Sequence, residues 1–175
     1  MRNARVRRFI ATVVLVSTAM FTLASGVFNV MHESDIGGKG LDPGLGFSQY
    51  APNLYLGLGK IAPDNTYMPG AALSYDVSED GATYTFHLRD DAYWSDGEPL
   101  TAQDFEFAWK RALDPETAST RAYMLYLVAG AEAYNSGEGS ADEVGVKALD
   151  DYTLQVNLTS AAPFFPMYAS ANNVY

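Results

Sequence analysis

Residues 83–112 decide the fold, and they read TYTFHLRDDAYWSDGEPLTAQDFEFAWKRA. In residues 83–89, apolar and polar side chains alternate, which predicts a half-buried antiparallel strand. A helix is predicted from Thr101, because Thr101 followed three residues later by Asp104 resembles a capping box. The apolar residues of that helix form a single stripe at Phe105, Ala108, Trp109 and Ala112.

The rest of the chain supplies further strands and helices. Residues 79–81 have the length and the glycine of a hairpin loop, and the proline of residues 114–116 ends one helix and favours the start of another. Further strands are predicted at 27–32, 74–78, 146–149 and 153–158, and further helices at 53–58, 117–129 and 163–170. This order of elements, without repeats, is typical of an α+β fold.

Composition and charge exclude several classes of function. The chain has 175 residues, of which 48% are hydrophobic, an ordinary globular composition. Its formal net charge is −10, although four of its 11 basic residues lie in the first eight positions. An acidic body repels phosphate, so we expect no nucleic-acid partner. With no cysteine and two histidines, we also expect no disulfide, no metal site, no cofactor and no catalytic triad.

The first 26 residues have the composition of a secretory signal peptide. Four arginines in positions 2–8 precede an uncharged, mostly apolar run at 9–24, and small residues follow. An uncleaved membrane anchor is the alternative, but this run of 16 residues is shorter than the ~20 that span a bilayer. We therefore expect an exported protein that is cleaved after Ala24 or Gly26.

A cluster of carboxylates follows the central strand, at Asp90, Asp91, Asp96 and Glu98. Paired carboxylates serve glycoside hydrolases, and alternating carboxylates bind calcium, but the spacing here does not fit a calcium loop. A solvated turn on an acidic surface is the interpretation that we favour.

For the histidine of the central strand and for the two tryptophans, a structural role has to be weighed against contact with a ligand or metal. His87 falls on the polar face of its strand, without a second candidate metal ligand nearby. Trp109 lies on the apolar stripe of the predicted helix, so we place it in the core. Trp94 is left open between the core and a platform on which a ligand could stack.

The stretch 69–166 resembles the bacterial extracellular solute-binding proteins of family 5. Four unlinked pieces agree with that family in order: Tyr84-Thr85-Phe86-His87-Leu88-Arg89, Trp94-Ser95-Asp96-Gly97, Thr101-Ala102-Gln103-Asp104-Phe105 and Trp109-Lys110-Arg111. Three more pieces match at Leu41-Asp42-Pro43, Leu149-Asp150-Asp151-Tyr152-Thr153-Leu154 and Pro163-Phe164-Phe165.

The resemblance implies a receptor of the periplasmic-binding-protein type II-like kind, with two lobes that close over a peptide. It implies the substrate-binding component of an ABC importer for oligopeptides or dipeptides, which catalyses no reaction. Such a receptor is a monomer in the periplasm or outside the cell, and it docks on a permease in the inner membrane. A nickel complex, haem or a sugar are alternative ligands in the same family. An inert product that binds nothing, or a secreted hydrolase that uses the carboxylates of 90–98, are the rivals from other classes.

The same resemblance divides the chain into parts. Residues 27–57 are expected to be the first piece of the main lobe, and residues 58–175 the extra α+β domain of the larger members. The second lobe has no counterpart in the sequence, so we expect a truncated N-terminal fragment. The family tyrosine that can reach the ligand corresponds to Arg121, or to Tyr123 if the helix shifts, so these are the implied ligand-binding residues. Without the second lobe, we expect peptide binding no tighter than about millimolar, because association itself costs ~4 kcal/mol or more.

Overall fold

The computed structural model describes residues 54–171. The expected signal peptide at 1–26, the strand at 27–32 and most of the main-lobe piece at 27–57 lie outside the described residues. The described strands are β1 (Gly59–Ile61), β2 (Tyr67–Pro69), β3 (Ala72–Val77), β4 (Thr83–Leu88), β5 (Val146–Asp150) and β6 (Thr153–Asn157). The described α-helices are α1 (Ala102–Leu113), α2 (Ala131–Asn135) and α3 (Phe165–Ala171). Short 3-10 helices lie at Pro115–Thr117, Ala122–Leu125 and Ala141–Glu143.

A four-stranded antiparallel sheet, in the order β3-β4-β6-β5, forms the centre of the fold. The two hairpins that the sequence predicts, β3–β4 and β5–β6, are confirmed to within two residues at their ends. In the β3–β4 loop, Gly81 takes a φ of +70° and Asp80 Oδ1 accepts the N–H of Ala82 at 3.0 Å. The alternating pattern is confirmed as well, because the inward side chains of the two central strands are buried: Tyr84, Phe86, Leu88, Leu154 and Val156.

Helix α1 begins and packs as its sequence predicts. Thr101 and Asp104 form a capping box, in which the N–H of Thr101 donates to Asp104 Oδ2 at 2.8 Å. Of the predicted stripe, Phe105, Trp109 and Ala112 are buried, while Ala108 is partly buried against the same core. The helix lies against β5 and β6 and covers the sheet.

One carboxylate links α1 to the outer strand of the sheet. Glu106 Oε2 accepts the N–H of Ala148 in β5 at 2.7 Å, and Glu106 Oε1 accepts from Lys110 Nζ at 2.6 Å. Burial raises the pKa of Glu106, but the hydrogen bonds from Lys110 and Ala148 outweigh it and hold the pKa below its ordinary value. Glu106 is therefore a carboxylate anion that accepts a hydrogen bond from a backbone N–H of the edge strand β5.

The core is built around Trp109, which is 1% exposed and confirms the prediction that this residue is internal. Its ring meets Phe165 of α3 edge-to-face at a centroid distance of 6.3 Å, and Phe165 also packs on Tyr84 at 5.2 Å. The buried Tyr84 hydroxyl donates to the carbonyl of Ala162 at 2.7 Å, which fixes the chain just before α3. Helix α3 thereby confirms the helix predicted at 163–170.

The predicted helix at 53–58 is wrong beyond Leu54, since residues 55–58 are not helical. The carbonyls of Gly57 and Leu58 instead accept the N–H groups of Ala71 and Ala72, at 2.9 and 2.8 Å. Backbone pairing with a segment that follows β2 thus replaces helical hydrogen bonds. Strand β2, which pairs with β1, was not expected from the sequence.

The predicted helix at 117–129 is also wrong. Ala118 takes a left-handed φ of 51°, so the turn that follows α1 stops after one 3-10 segment. Farther on, the N–H of Ala129 donates to the carbonyl of Asn157 and the N–H of Thr159 donates to the carbonyl of Leu127, both at 2.9 Å. These bonds tie the segment to the end of β6, and hydrogen bonds to distant residues replace the local ones of a helix.

Candidate functional site

Arg121 and Tyr123, the two implied ligand contacts, lie at the start of the 3-10 helix Ala122–Leu125. The N–H of Arg121 donates to Ser119 Oγ at 3.3 Å, and Arg121 is partly buried. Tyr123 is 64% exposed, although its neighbours Ala122 and Met124 are buried. The packing of those neighbours directs the Tyr123 ring to solvent.

Two further aromatic residues come from α3 and its approach. The Tyr168 hydroxyl donates to the carbonyl of Met124 at 2.9 Å, which ties α3 to the 3-10 helix 44 residues earlier. Phe164 meets Tyr168 edge-to-face at a centroid distance of 6.3 Å and is 55% exposed. This pair was not predicted from the sequence, although residues four apart in a helix are expected to share a face.

The electrostatics of Tyr168 connect the two groups of residues. Burial raises the pKa of Tyr168, the neighbouring Tyr123 phenol raises it further, and the Arg121 guanidinium lowers it. Arg121 and Tyr123 therefore both act on the Tyr168 hydroxyl. We call Arg121, Tyr123, Phe164 and Tyr168 together the Arg–aromatic surface.

The Arg–aromatic surface has the chemistry of recognition. A guanidinium can bind a carboxylate through two parallel hydrogen bonds, and aromatic rings offer apolar area with little loss of side-chain entropy. None of its four members is a carboxylate, a thiol or an imidazole. The surface can therefore contact a ligand, but it contains no pair of nucleophile and general base.

The carboxylates of 90–98 are held in a solvent-facing turn. Asp91 pairs with Arg89, and the hydrogen bond from Arg89 holds the pKa of Asp91 below its ordinary value. Asp96 Oδ1 accepts the N–H of Glu98 at 3.1 Å. A general acid needs a raised pKa, so Asp91 is unsuited to that role. Across residues 54–171, no group of three or more His, Cys, Asp or Glu could hold a metal ion.

The remaining ambiguous side chains have partners that the sequence did not indicate. His87 Nε2 lies 2.8 Å from Asp76 Oδ2, because β3 and β4 pair in the register that brings Ser74 opposite His87. Trp94 is 41% exposed, and its indole N–H donates to Asp104 Oδ2 at 3.3 Å. Trp94 thus lies at the surface against the start of α1.

A groove with a volume of about 520 Å³ adjoins α2. It is lined by Tyr126, Val128, Gly130, Glu132, Ala133, Ser136, Glu138 and Thr159. Arg121 and Tyr123 are not among these residues, so the groove and the Arg–aromatic surface are built from different side chains. Within the described range 54–171, no helix is long and apolar enough to cross a membrane.

Comparisons with known proteins identify the chain's relatives. Residues 66–174 match the sequence profile described as bacterial extracellular solute-binding proteins, family 5 middle. The chain is 52% identical over 109 residues to an oligopeptide-binding protein of Bacillus subtilis (strain 168), and 44% identical over 128 residues to a dipeptide-binding protein of the same strain. These alignments cover 62% and 71% of the chain but 20% and 24% of the two relatives, so the chain spans about a quarter of their length or less.

The fold has a counterpart among solved structures. The substrate-binding domain of an oligopeptide ABC transporter from Bacillus anthracis str. Ames matches with a TM-score of 0.75 and 41% identity. The match covers 83% of the chain and 30% of that structure. The α+β architecture predicted from the sequence, as part of a two-lobed binding protein, is confirmed by this likeness.

Proposed function

Because the chain belongs to the bacterial extracellular solute-binding proteins of family 5, we propose that it is a peptide-binding component of an ABC importer. The observation that carries this proposal is the match over residues 66–174, together with relatives named for oligopeptide and dipeptide binding. The proposed ligands are peptides, and the proposed partner is a permease in the inner membrane. The protein acts as a monomer and catalyses no reaction.

Arg121 and Tyr123 are the proposed ligand contacts. Eighteen acidic side chains face six basic ones in residues 54–171, so Arg121 is a rare positive group on an acidic domain. The Arg121 cation acts on Tyr168, and the exposed Tyr123 and Phe164 rings belong to the same surface, which suits the carboxylate of a peptide together with its apolar side chains. Affinity at this surface is low, because Tyr123 and Phe164 are more than half exposed and a peptide placed there stays partly solvated.

Residues 58–175 are the proposed extra domain, and residues 27–57 the first piece of a main lobe. Support comes from the two ends of the described part, because a Cβ placed on Gly59 would lie 2.4 Å from Ser170 Oγ. Gly59, near the start of the described part, and Ser170, near its end, are therefore neighbours, as the two ends of an inserted domain are. Export follows from residues 1–26, which we propose to be a cleaved signal peptide. Mass spectrometry of the exported protein should find an N-terminus near residues 25–27, and an intact Met1 in membranes would contradict export by cleavage.

Titration calorimetry tests the binding proposal. We expect tri- to pentapeptides with free termini to bind this chain with a dissociation constant of about 1 mM or weaker, since a few solvated hydrogen bonds contribute ~1 kcal/mol each. Arg121→Ala and Tyr123→Ala should each abolish the heat of binding, whereas Phe107→Ala, another exposed aromatic residue, should leave it unchanged. A dissociation constant in the micromolar range, or binding heat that both substitutions at the site leave intact, would refute the assignment.

A further inference from the structure

A second exposed aromatic surface lies outside the Arg–aromatic surface. Phe107, on the solvent side of α1, is 67% exposed, and Trp94 is 41% exposed. Tyr93, the residue before Trp94, is 64% exposed and pairs through its backbone with Pro99. These large aromatic residues lie outside the core, and exposed apolar side chains that form a group can mark an interaction site.

Asp104 brings Trp94 and Phe107 onto one side of α1. The Trp94 indole N–H donates to Asp104 Oδ2 at 3.3 Å, so the indole lies against the first turn of the helix. Phe107 follows Asp104 by three residues, a spacing that makes helical side chains neighbours. Helical side chains also lean toward the N-terminus of their helix, which brings the Phe107 ring back over the turn that Trp94 contacts. We call Trp94, Phe107 and the loop 90–100 the acidic aromatic patch.

Acidic side chains outnumber basic ones around this patch. Residues 90–109 contain six carboxylates and no Lys or Arg. The nearest basic groups on either side are engaged, Arg89 with Asp91 and Lys110 with Glu106. Arg111 follows Phe107 by one turn and is partly buried. A negative rim therefore borders two exposed aromatic rings.

We propose that the acidic aromatic patch is a docking surface for a protein partner that presents arginine or lysine side chains. Cations bind over aromatic faces, and carboxylates at the rim attract them and speed their approach. Trp and Tyr are also the residues at which binding energy concentrates in protein interfaces. A second copy of this chain would bring 21 acidic residues against 21 others, and an anionic membrane would be repelled for the same reason. The charge of the patch thus selects a basic protein partner.

The probe for this surface is hexa-arginine with an acetylated N-terminus and an amidated C-terminus, titrated against the full chain. Blocked ends give the probe no free terminus to offer to Arg121 and Tyr123. Trp94 is the exposed one of the two tryptophans, so its fluorescence reports occupancy while Trp109 stays buried. We expect saturable quenching that weakens as salt is raised from about 0.02 to 0.15 M.

Matched variants separate the patch from general charge attraction. Phe107→Ala, and separately Asp96→Asn with Glu98→Gln, should each weaken hexa-arginine binding about tenfold. Phe164→Ala, an exposed aromatic residue elsewhere, and Arg121→Ala should leave it unchanged. Equal binding by wild type and Phe107→Ala, or equal binding of blocked hexaglutamate, would overturn the proposal. Since the probe lacks free termini, this outcome is independent of whether peptides bind the Arg–aromatic surface.

Discussion

The turn segment, residues 114–145, is stabilised differently from the region that consists of the sheet and α1. In the sheet and α1, each element has its own periodicity and a buried face, from Tyr84 and Phe86 to Trp109. The turn segment contains three short 3-10 helices and the five-residue α2, and it carries Arg121 and Tyr123. It buries isolated side chains such as Leu125 and Val128, and it is also held by single hydrogen bonds to distant residues, such as the one from Tyr168 Oη to the Met124 carbonyl.

This difference indicates that one region provides stability and the other positions the proposed ligand contacts. Apolar burial in regular elements stabilises the sheet and α1 without regard to ligand, whereas the packing of short turns and individual polar contacts position the residues proposed to bind one. Substitutions in the core should therefore change global stability, and substitutions at the turn segment's anchors should change local order and binding.

Removing the central indole should have the largest effect. Trp109→Ala deletes a ring that is 1% exposed, so we expect a loss of about 3–5 kcal/mol in the free energy of unfolding. Urea denaturation followed by circular dichroism measures it. Phe107→Ala, on the outer side of the same helix, is the control and should change the free energy by less than about 0.5 kcal/mol. Comparable losses for the two variants would contradict the packing described for α1.

Two glycines of the turn segment test how tightly it is anchored. Gly130 and Gly137 both have positive φ, at 73° and 81°, so alanine at either should cost about 1–2 kcal/mol in backbone strain. At Gly130 a Cβ would also lie 2.3 Å from the Glu143 carbonyl oxygen, whereas at Gly137 no atom lies within 4 Å. Thermal unfolding should therefore show a larger loss for Gly130→Ala than for Gly137→Ala. Equal losses would mean that the contact with Glu143 constrains nothing.

Glu106 tests the polar link between α1 and β5. Its pKa is lowered in the folded chain, so its contribution is present above the unfolded pKa and is lost as pH falls through the lower folded value. Glu106→Gln should cost about 1 kcal/mol at pH 7 and should flatten the fall in stability below about pH 4.5. Urea titrations at several pH values measure both effects, with the exposed Glu132→Gln as control. If the free energy of unfolding of Glu106→Gln falls at acid pH as steeply as that of the wild type, other carboxyl groups cause that fall.

Tyr168→Phe should have the smallest global effect. It removes the hydroxyl that donates to the Met124 carbonyl but keeps the ring, so the free energy of unfolding should fall by about 1 kcal/mol or less. Hydrogen exchange should nevertheless speed up at residues 122–126, while amides of β4 and β6 keep their protection. Uniform acceleration across the sheet would place the turn segment within the same cooperative unit as the core.

The same contrast explains what could be predicted from the sequence. The β3–β4 hairpin and α1 were predictable because alternation, capping and the apolar stripe are local signals, and Trp109 belongs to that stripe. The helix at 117–129 was wrong because Ala118 adopts a left-handed conformation and Leu127 and Ala129 bond to the end of β6. Similar long-range pairing, from Gly57 to Ala71, replaced the helix at 53–58.

The candidate site was predictable only in part. Arg121 and Tyr123 followed from the resemblance to a family, and no periodicity or spacing would have selected them. Their neighbours Phe164 and Tyr168 were missed because the contact from Tyr168 to Met124 joins residues 44 positions apart. Local patterns carry no information about such a pairing, since it depends on how α3 packs on the finished core.

Peptide titration followed by ¹H–¹⁵N NMR tests the central claim most directly. Trialanine with free termini should shift the amide signals of residues 121–126 and 164–168 in fast exchange, with a midpoint of about 1 mM or higher. The Arg121→Ala, Tyr123→Ala double variant should lose these shifts and keep an otherwise unchanged spectrum. Shifts confined to the groove beside α2 or to residues 90–107, or no shifts at all, would contradict the assignment of the Arg–aromatic surface as the peptide-binding site.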